Sequence, residues 1–135
     1  MQTPITVSTL DADRIETLLD TLPSSSDHIK EALRQELARA ELVEPEAMPP
    51  DIVTMHSRVR FEIEETRETF CLTLAYPRDM GTLTDGLSIL TPIGTALLGL
   101  SKGAMINWPR LDGQLQTLRI LDIAYQPERA GVFAL

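Results

Sequence analysis

The 135 residues are 43% hydrophobic but only 4% aromatic, enough for one ordinary core built mainly from Leu and Ile. No run approaches the ~18–20 apolar residues that span a bilayer, the opening MQTPITVSTLDADR lacks a signal peptide's basic and apolar regions, and one cysteine, Cys71, excludes an internal disulfide framework, so a cytoplasmic protein is expected. The formal charge of −8 is uneven: residues 1–51 hold eleven acidic and four basic side chains, residues 52–135 nine and eight, which disfavours nucleic acid as partner of the first third because phosphates would be repelled.

After an extended lead over residues 5–7, Ser8 or Thr9 can cap a helix whose first turn carries Asp11 and Asp13. Ile15, Leu18, Leu19 and Leu22 form its apolar stripe, and Pro23 with three serines breaks it. Asp27 or Ser26 caps a second helix, about 16 residues long, with Ile29, Leu33, Leu37 and Ala40 on one face, ending before Pro45. Two amphipathic helices joined by a short polar turn should fold back as an antiparallel hairpin. Helices this short are marginal alone, so the hairpin should lean on the rest of the chain.

Residues 44–51, EPEAMPPD, read as a linker, dividing a helical part (1–46) from a strand-rich part (47–135). Beyond it the period changes to two. Val59, Phe61 and Ile63 alternate with charged neighbours, residues 64–67 form a hairpin turn, and Phe70, Leu72, Leu74 and Tyr76 alternate along the next strand. A loop over residues 77–86 leads to a strand at 87–90. The segment LTPIG then starts a helix, with Thr91 as cap and Pro92 at the first helical position. Ile93, Ala96, Leu97 and Leu100 fall on one helical face, and Gly99 can supply the left-handed residue that ends it. A strand at 104–108, a turn at 109–113 and a long strand at 115–125 complete an α+β chain with a curved antiparallel sheet around one short helix.

Little in the chain carries catalysis. Cys71 lies on a strand without a histidine near it in sequence, so it reads as an incidental thiol. His28 and His56 fit no metal-ligand spacing, and neither a metal nor a cofactor is expected. His28 reads as a solvated residue of the second helix. Arg58, Arg60, Arg67 and Arg78 alternate with acids and suggest a mixed polar face.

The segments LDADRIETLL, EPEAMPPDIVTMHSRVRF, TLAYP, LSILTPIGTALLGLSKGAMINW and AYQPERAG, together spanning nearly the whole chain, resemble the bacterial Gre-type transcript-cleavage factors. More closely they resemble a shortened branch of that family, connected by name with nucleoside diphosphate kinase. The resemblance implies an FKBP-like C-terminal domain that docks on RNA polymerase at the rim of the secondary channel, with the hairpin pointing inward. It implies docking through the corner at Leu90, Thr91, Pro92 and Ile93, together with the loop from Arg78 to Asp85. A rigid turn beside an apolar side chain is a low-entropy anchor, although Thr91 and Pro92 also serve simply to start the helix.

Gre factors hold a metal ion with an acidic pair at the tip of a long coiled coil, since carboxylates bind hard cations through oxygen. The corresponding tip here is Pro23, Ser24 and Ser25, flanked by Asp20 and Asp27, on a much shorter hairpin. Asp20 reads as a helix-end carboxylate and Asp27 as a cap. The expectation is a non-enzymatic regulator that occupies the channel and competes with Gre-type factors without cleaving transcripts. The alternative is a module that regulates nucleoside diphosphate kinase by direct contact. An FKBP-like prolyl isomerase ranks below both, because Phe61, Phe70, Tyr76, Trp108, Tyr125 and Phe133 are the only aromatics, and several fall at strand positions expected to serve the core.

Overall fold

The computed structural model describes residues 4–109 and 114–132, with the side chains of Trp108 and Pro109 excepted. Residues 110–113 of the expected turn at 109–113, and the expected core use of Trp108 and Phe133, lie outside the described residues. The chain is mixed α+β. It runs β1 (Thr6–Ser8), α1 (Thr9–Asp20), α2 (Asp27–Arg39), β2 (Glu41–Val43), β3 (Arg58–Ile63), β4 (Glu68–Ala75), β5 (Gly86–Ser88), α3 (Pro92–Leu97), β6 (Met105–Pro109) and β7 (Leu115–Tyr125).

Ser8 caps α1, its hydroxyl oxygen accepting from the Asp11 N–H at 3.0 Å. Ile15 and Leu19 are fully buried on the expected stripe, while Leu18 and Leu22 pack at its margin. The second helix is shorter than expected. It ends at Arg39, and residues 41–43 pair in parallel with β1, Glu41 N–H donating to the Ile5 carbonyl at 3.0 Å. A strand wins there because Leu42 and Val43 can complete a ladder with the extended lead, which the helix would leave unpaired. Of the two caps expected, Asp27 is not the one at the N-cap. Ser26 occupies that position without a side-chain hydrogen bond, and Asp27 lies in the first turn, 3.5 Å from Lys30.

The larger sheet has the order β5-β4-β3-β7-β6. All of its pairs are antiparallel except β4–β5, which is parallel and corrects the wholly antiparallel expectation at that edge. The loop between β4 and β5 carries the chain back far enough that β5 restarts in the direction of β4. Register shifts in the β3–β7 ladder, at Arg58/Val59 and Arg60/Phe61, mark local irregularities of the kind that bend a strand. Arg67 takes a left-handed φ of 62° in the β3–β4 turn.

The short helix differs from its expected face. α3 stops at Leu97, and Leu100 reaches the core only after the chain reverses at Gly99, where φ is +82°. A side chain at Gly99 would also place its Cβ 2.7 Å from the Ile5 Cβ, so the turn and the close approach both require glycine. Leu100 then pairs with the segment after the proposed linker, its carbonyl accepting from the Val53 N–H at 2.9 Å. Val53 and Met55 of that segment are buried, and so are Pro45 and Met48 within the proposed linker. One cluster of buried side chains runs from Ile15, Leu19 and Leu33 of the helices through Met55 to Phe61, Leu74, Leu97 and Ile120 of the sheet and α3. The helices do lean on the rest of the chain.

Candidate docking surfaces

The corner before α3 is built from hydroxyls reading carbonyls. Thr91 donates its N–H and its hydroxyl to the Ser88 carbonyl at 3.0 and 2.7 Å, and its hydroxyl oxygen accepts from the Gly94 N–H at 3.0 Å. The Ser88 hydroxyl oxygen accepts from Leu90 N–H at 3.1 Å, and Thr95 donates to the Ile89 carbonyl at 2.9 Å. A Cβ at Gly94 would sit 2.2 Å from the Ser88 carbonyl oxygen, so the helix start is pressed directly onto the turn. Of the four corner residues only Pro92 is exposed. Leu90 and Ile93 are half-buried against the core. The edge that can meet a partner is therefore narrower than the four residues suggest, a proline ring held by a fully bonded turn.

The loop holding Arg78 and Asp85 is tied down at both ends. Asp85 accepts from the Thr73 hydroxyl at 2.9 Å and lies 3.4 Å from the Arg58 guanidinium. Arg78 is exposed, with its guanidinium 5.2 Å from the centre of the Tyr76 ring. Between them Asp79 accepts from the Tyr76 N–H at 3.2 Å and lies 2.8 Å from the His56 Nε2. Burial pushes the Asp79 carboxyl up, but hydrogen bonds from His56 and Tyr76 outweigh it and hold the group below the ordinary carboxylate range. His56 has a left-handed φ of 67°, uncommon for a residue with a Cβ, and its ring packs edge-on to Tyr76 at 5.5 Å. His56 and Asp79, with Arg58, Thr73, Asp85 and Tyr125, line a cleft of about 540 Å³. Pairing of His56 with Asp79 escaped the sequence, because 23 positions separate them and neither spacing nor periodicity links a strand entry to a distant loop.

At the tip between the helices, Pro23 opens a single 3-10 turn over Ser24–Ser26, with Ser24 and Ser25 exposed. Asp20 ends α1 and lies 3.2 Å from Arg34, which also meets Glu16 at 3.6 Å. Asp20 and Asp27 thus have separate cationic neighbours, one across the helices and one along α2. Among the described residues no three His, Cys, Asp or Glu side chains converge as a metal site would need.

A carboxylate that sequence reading placed only as a helix-start residue, Asp11, turns out to be 5% exposed. Its Oδ2 accepts from the Met55 N–H at 3.1 Å, joining α1 to the segment that enters β3. Burial raises its pKa to about 6, and the nearby Glu128 adds to the rise against the opposing bond from Met55.

Comparison with known proteins gives a consistent result. Residues 48–125 match the family model described as Transcription elongation factor, GreA/GreB, C-term, and residues 3–43 match Rnk N-terminus. Proteins named Regulator of nucleoside diphosphate kinase from Escherichia coli K12 and Shigella flexneri are each 42% identical over 131 residues, covering 97% of this chain and 96% of theirs. A solved structure described as prokaryotic transcription elongation factor GreA/GreB from Nitrosomonas europaea is 48% identical, with a TM-score of 0.73, covering 92% of this chain and all of that one.

Proposed function

The chain belongs to the GreA/GreB family of transcription elongation factors, in the branch that carries an Rnk N-terminus, and from that premise we propose that it is a non-enzymatic regulator that docks on RNA polymerase at the rim of the secondary channel. In this reading residues 47–135 form an FKBP-like domain that supplies affinity, and residues 1–46 form a short helical hairpin that enters the channel of a cytoplasmic polymerase. Occupancy is the mechanism. A factor seated there excludes Gre-type factors without cleaving the transcript. The observation that carries this is the match of residues 48–125 to the GreA/GreB C-terminal model, which spans the Thr91–Pro92 corner and the loop holding Arg78 and Asp85.

The corner's geometry supports a docking role. Thr91, Gly94 and Ser88 fix the turn, so Pro92 is presented with little conformational entropy left to lose on binding. Ser24 and Ser25 at the tip lack the carboxylates that hold a catalytic cation. The test is binding to purified core RNA polymerase followed by titration with a Gre factor. Competitive displacement with no shortening of stalled transcripts is expected; absence of binding, or cleavage, would overturn the reading.

The names of the 42% identical relatives favour a second reading, in which the chain regulates nucleoside diphosphate kinase by direct contact. Analytical gel filtration of the chain with purified kinase decides it. Co-elution in the absence of polymerase is required.

A further inference from the structure

The chain after β7 folds back on the segment that joins the helices to the sheet. Gln126, wholly buried, donates its side-chain amide hydrogens to the carbonyls of Pro49 at 2.8 Å and Ile52 at 2.9 Å. Arg129 donates to the Pro50 carbonyl at 3.3 Å, and Glu128 accepts from the buried Thr54 hydroxyl at 2.8 Å. Pro49 and Pro50 have no N–H, so this stretch cannot join a ladder and side chains take up its carbonyls instead. Residues 126–132 thus form a strap over the linker. The strap also meets α1. Glu128 is bonded to Thr54, and Asp11 accepts from the N–H of the next residue, Met55, at 3.1 Å. Two carboxylates from opposite ends of the chain therefore converge on adjacent residues. Burial holds the Asp11 carboxyl up at about 6, and Glu128 adds to the rise against the Met55 bond and His56. His56, in the turn before β3, is itself engaged with Asp79. Tyr76, just after β4, faces Asp11 with a phenol on which Arg14, Arg78 and Asp79 also act.

We propose that the strap closes on the helices through a proton-dependent catch, the Asp11–Glu128 pair, which holds the start of α1 to residues 54–57 in mild acid and loosens as the pH rises towards neutrality. With Asp11 protonated, a single charge stands beside the Thr54–Met55 peptide. With both groups ionised, two like charges face each other where little water screens them. The closed catch binds its proton more tightly than the open one. Closure is therefore fully supported below pH ~4 and loses that support as pH rises through about 6. What opens is local, the first turn of α1 and residues 54–57, while Ile15 and Leu19 stay in the core. The hold of the helices on the sheet, and with it the aim of their tip, then responds to pH. This inference stands apart from the polymerase reading and needs no partner.

Amide hydrogen exchange of the full chain at pH 5 and pH 8, corrected for intrinsic rates, tests the catch. The Met55 N–H should be on the order of tenfold more protected at pH 5 than at pH 8. At both it should stay at least about tenfold less protected than the Ile120 N–H, which donates to the Ala104 carbonyl inside the sheet at 2.9 Å. Asp11→Asn keeps an oxygen for Met55 and should abolish the pH difference. Glu128→Gln keeps one for Thr54, removes only the facing charge, and should shrink the difference roughly twofold or more. Three results would each overturn the proposal. Equal protection of Met55 at the two pH values would show that no proton works the catch. Protection of Met55 as high as that of Ile120 would show that the charge acts only through global unfolding. A pH difference that survives Asp11→Asn, or that Glu128→Gln leaves untouched, would take the pair out of the device.

Discussion

Asp11 carries the sharpest consequence of any single residue. Its carboxyl has a pKa of about 6 in the fold against 3.8 in an exposed chain, so the native state holds the proton more tightly than the unfolded state does. The stabilisation from the protonated form is complete below pH ~4 and is lost as pH rises through about 6; above that, the buried charge is a net cost of up to ~3 kcal/mol. Asp11→Asn keeps an oxygen for the Met55 N–H and removes the charge. Urea denaturation should find that variant more stable than wild type at pH 8 by ~1–3 kcal/mol, with the gain shrinking towards zero by pH 4. A gain independent of pH would mean that burial of the charge is not its cause. First-turn chemistry did not separate Asp11 from the exposed Asp13, but helical spacing could have: Asp11 stands four residues before Ile15 and seven before Leu18 on the apolar stripe, whereas Asp13 shares the face of Glu16 and Thr17.

At the scale of elements, the corner before α3 separates folding from docking. Gly94→Ala forces a methyl against the Ser88 carbonyl oxygen and should cost at least ~2 kcal/mol, read from the midpoint of chemical denaturation. Thr91→Ala removes a cap and should cost ~1 kcal/mol. Pro92→Ala touches only an exposed ring, so its effect on stability should stay under ~1 kcal/mol while affinity for core polymerase falls by on the order of tenfold. Unchanged affinity in Pro92→Ala would remove the corner from the interface. Here the sequence was nearly sufficient, because Thr-Pro followed by Gly is local chemistry that acts over three or four residues. It also placed the left-handed stop at Gly99 correctly, but wrongly put Leu100 on the helical face. Leu100 has the right spacing for its face but is delivered by the Gly99 reversal instead.

Across the whole molecule, helices and sheet share one buried cluster, and the Asp11–Met55 hydrogen bond crosses the same junction. Unfolding should therefore be a single cooperative transition, with far-UV signal from the helices and near-UV signal from the buried Tyr76 superimposing. Leu33, fully buried on α2, tests the coupling. Leu33→Ala should lower stability by ~2–5 kcal/mol and shift both signals together. Loss of helical signal with the tyrosine signal unmoved would show two independently folding parts. Such coupling would also fix the direction in which the tip at Ser24 and Ser25 projects from the sheet, the property an occupancy mechanism needs.

The sequence by itself determined the α+β character, the alternation of β3, the capped start of α3, the turn that breaks α1 from α2, and the segments that resemble the Gre factors. Each depends on neighbours within a few positions or on a residue order that is directly legible. Tertiary structure alone decided the parallel pairing of β1 with β2, the parallel edge at β5, the early end of α2, the Asp11–Met55 hydrogen bond and the His56–Asp79 pair. These join residues 13 to 44 positions apart, where local periodicity carries little information and the outcome depends on which backbone groups and side chains the packed core leaves to find one another.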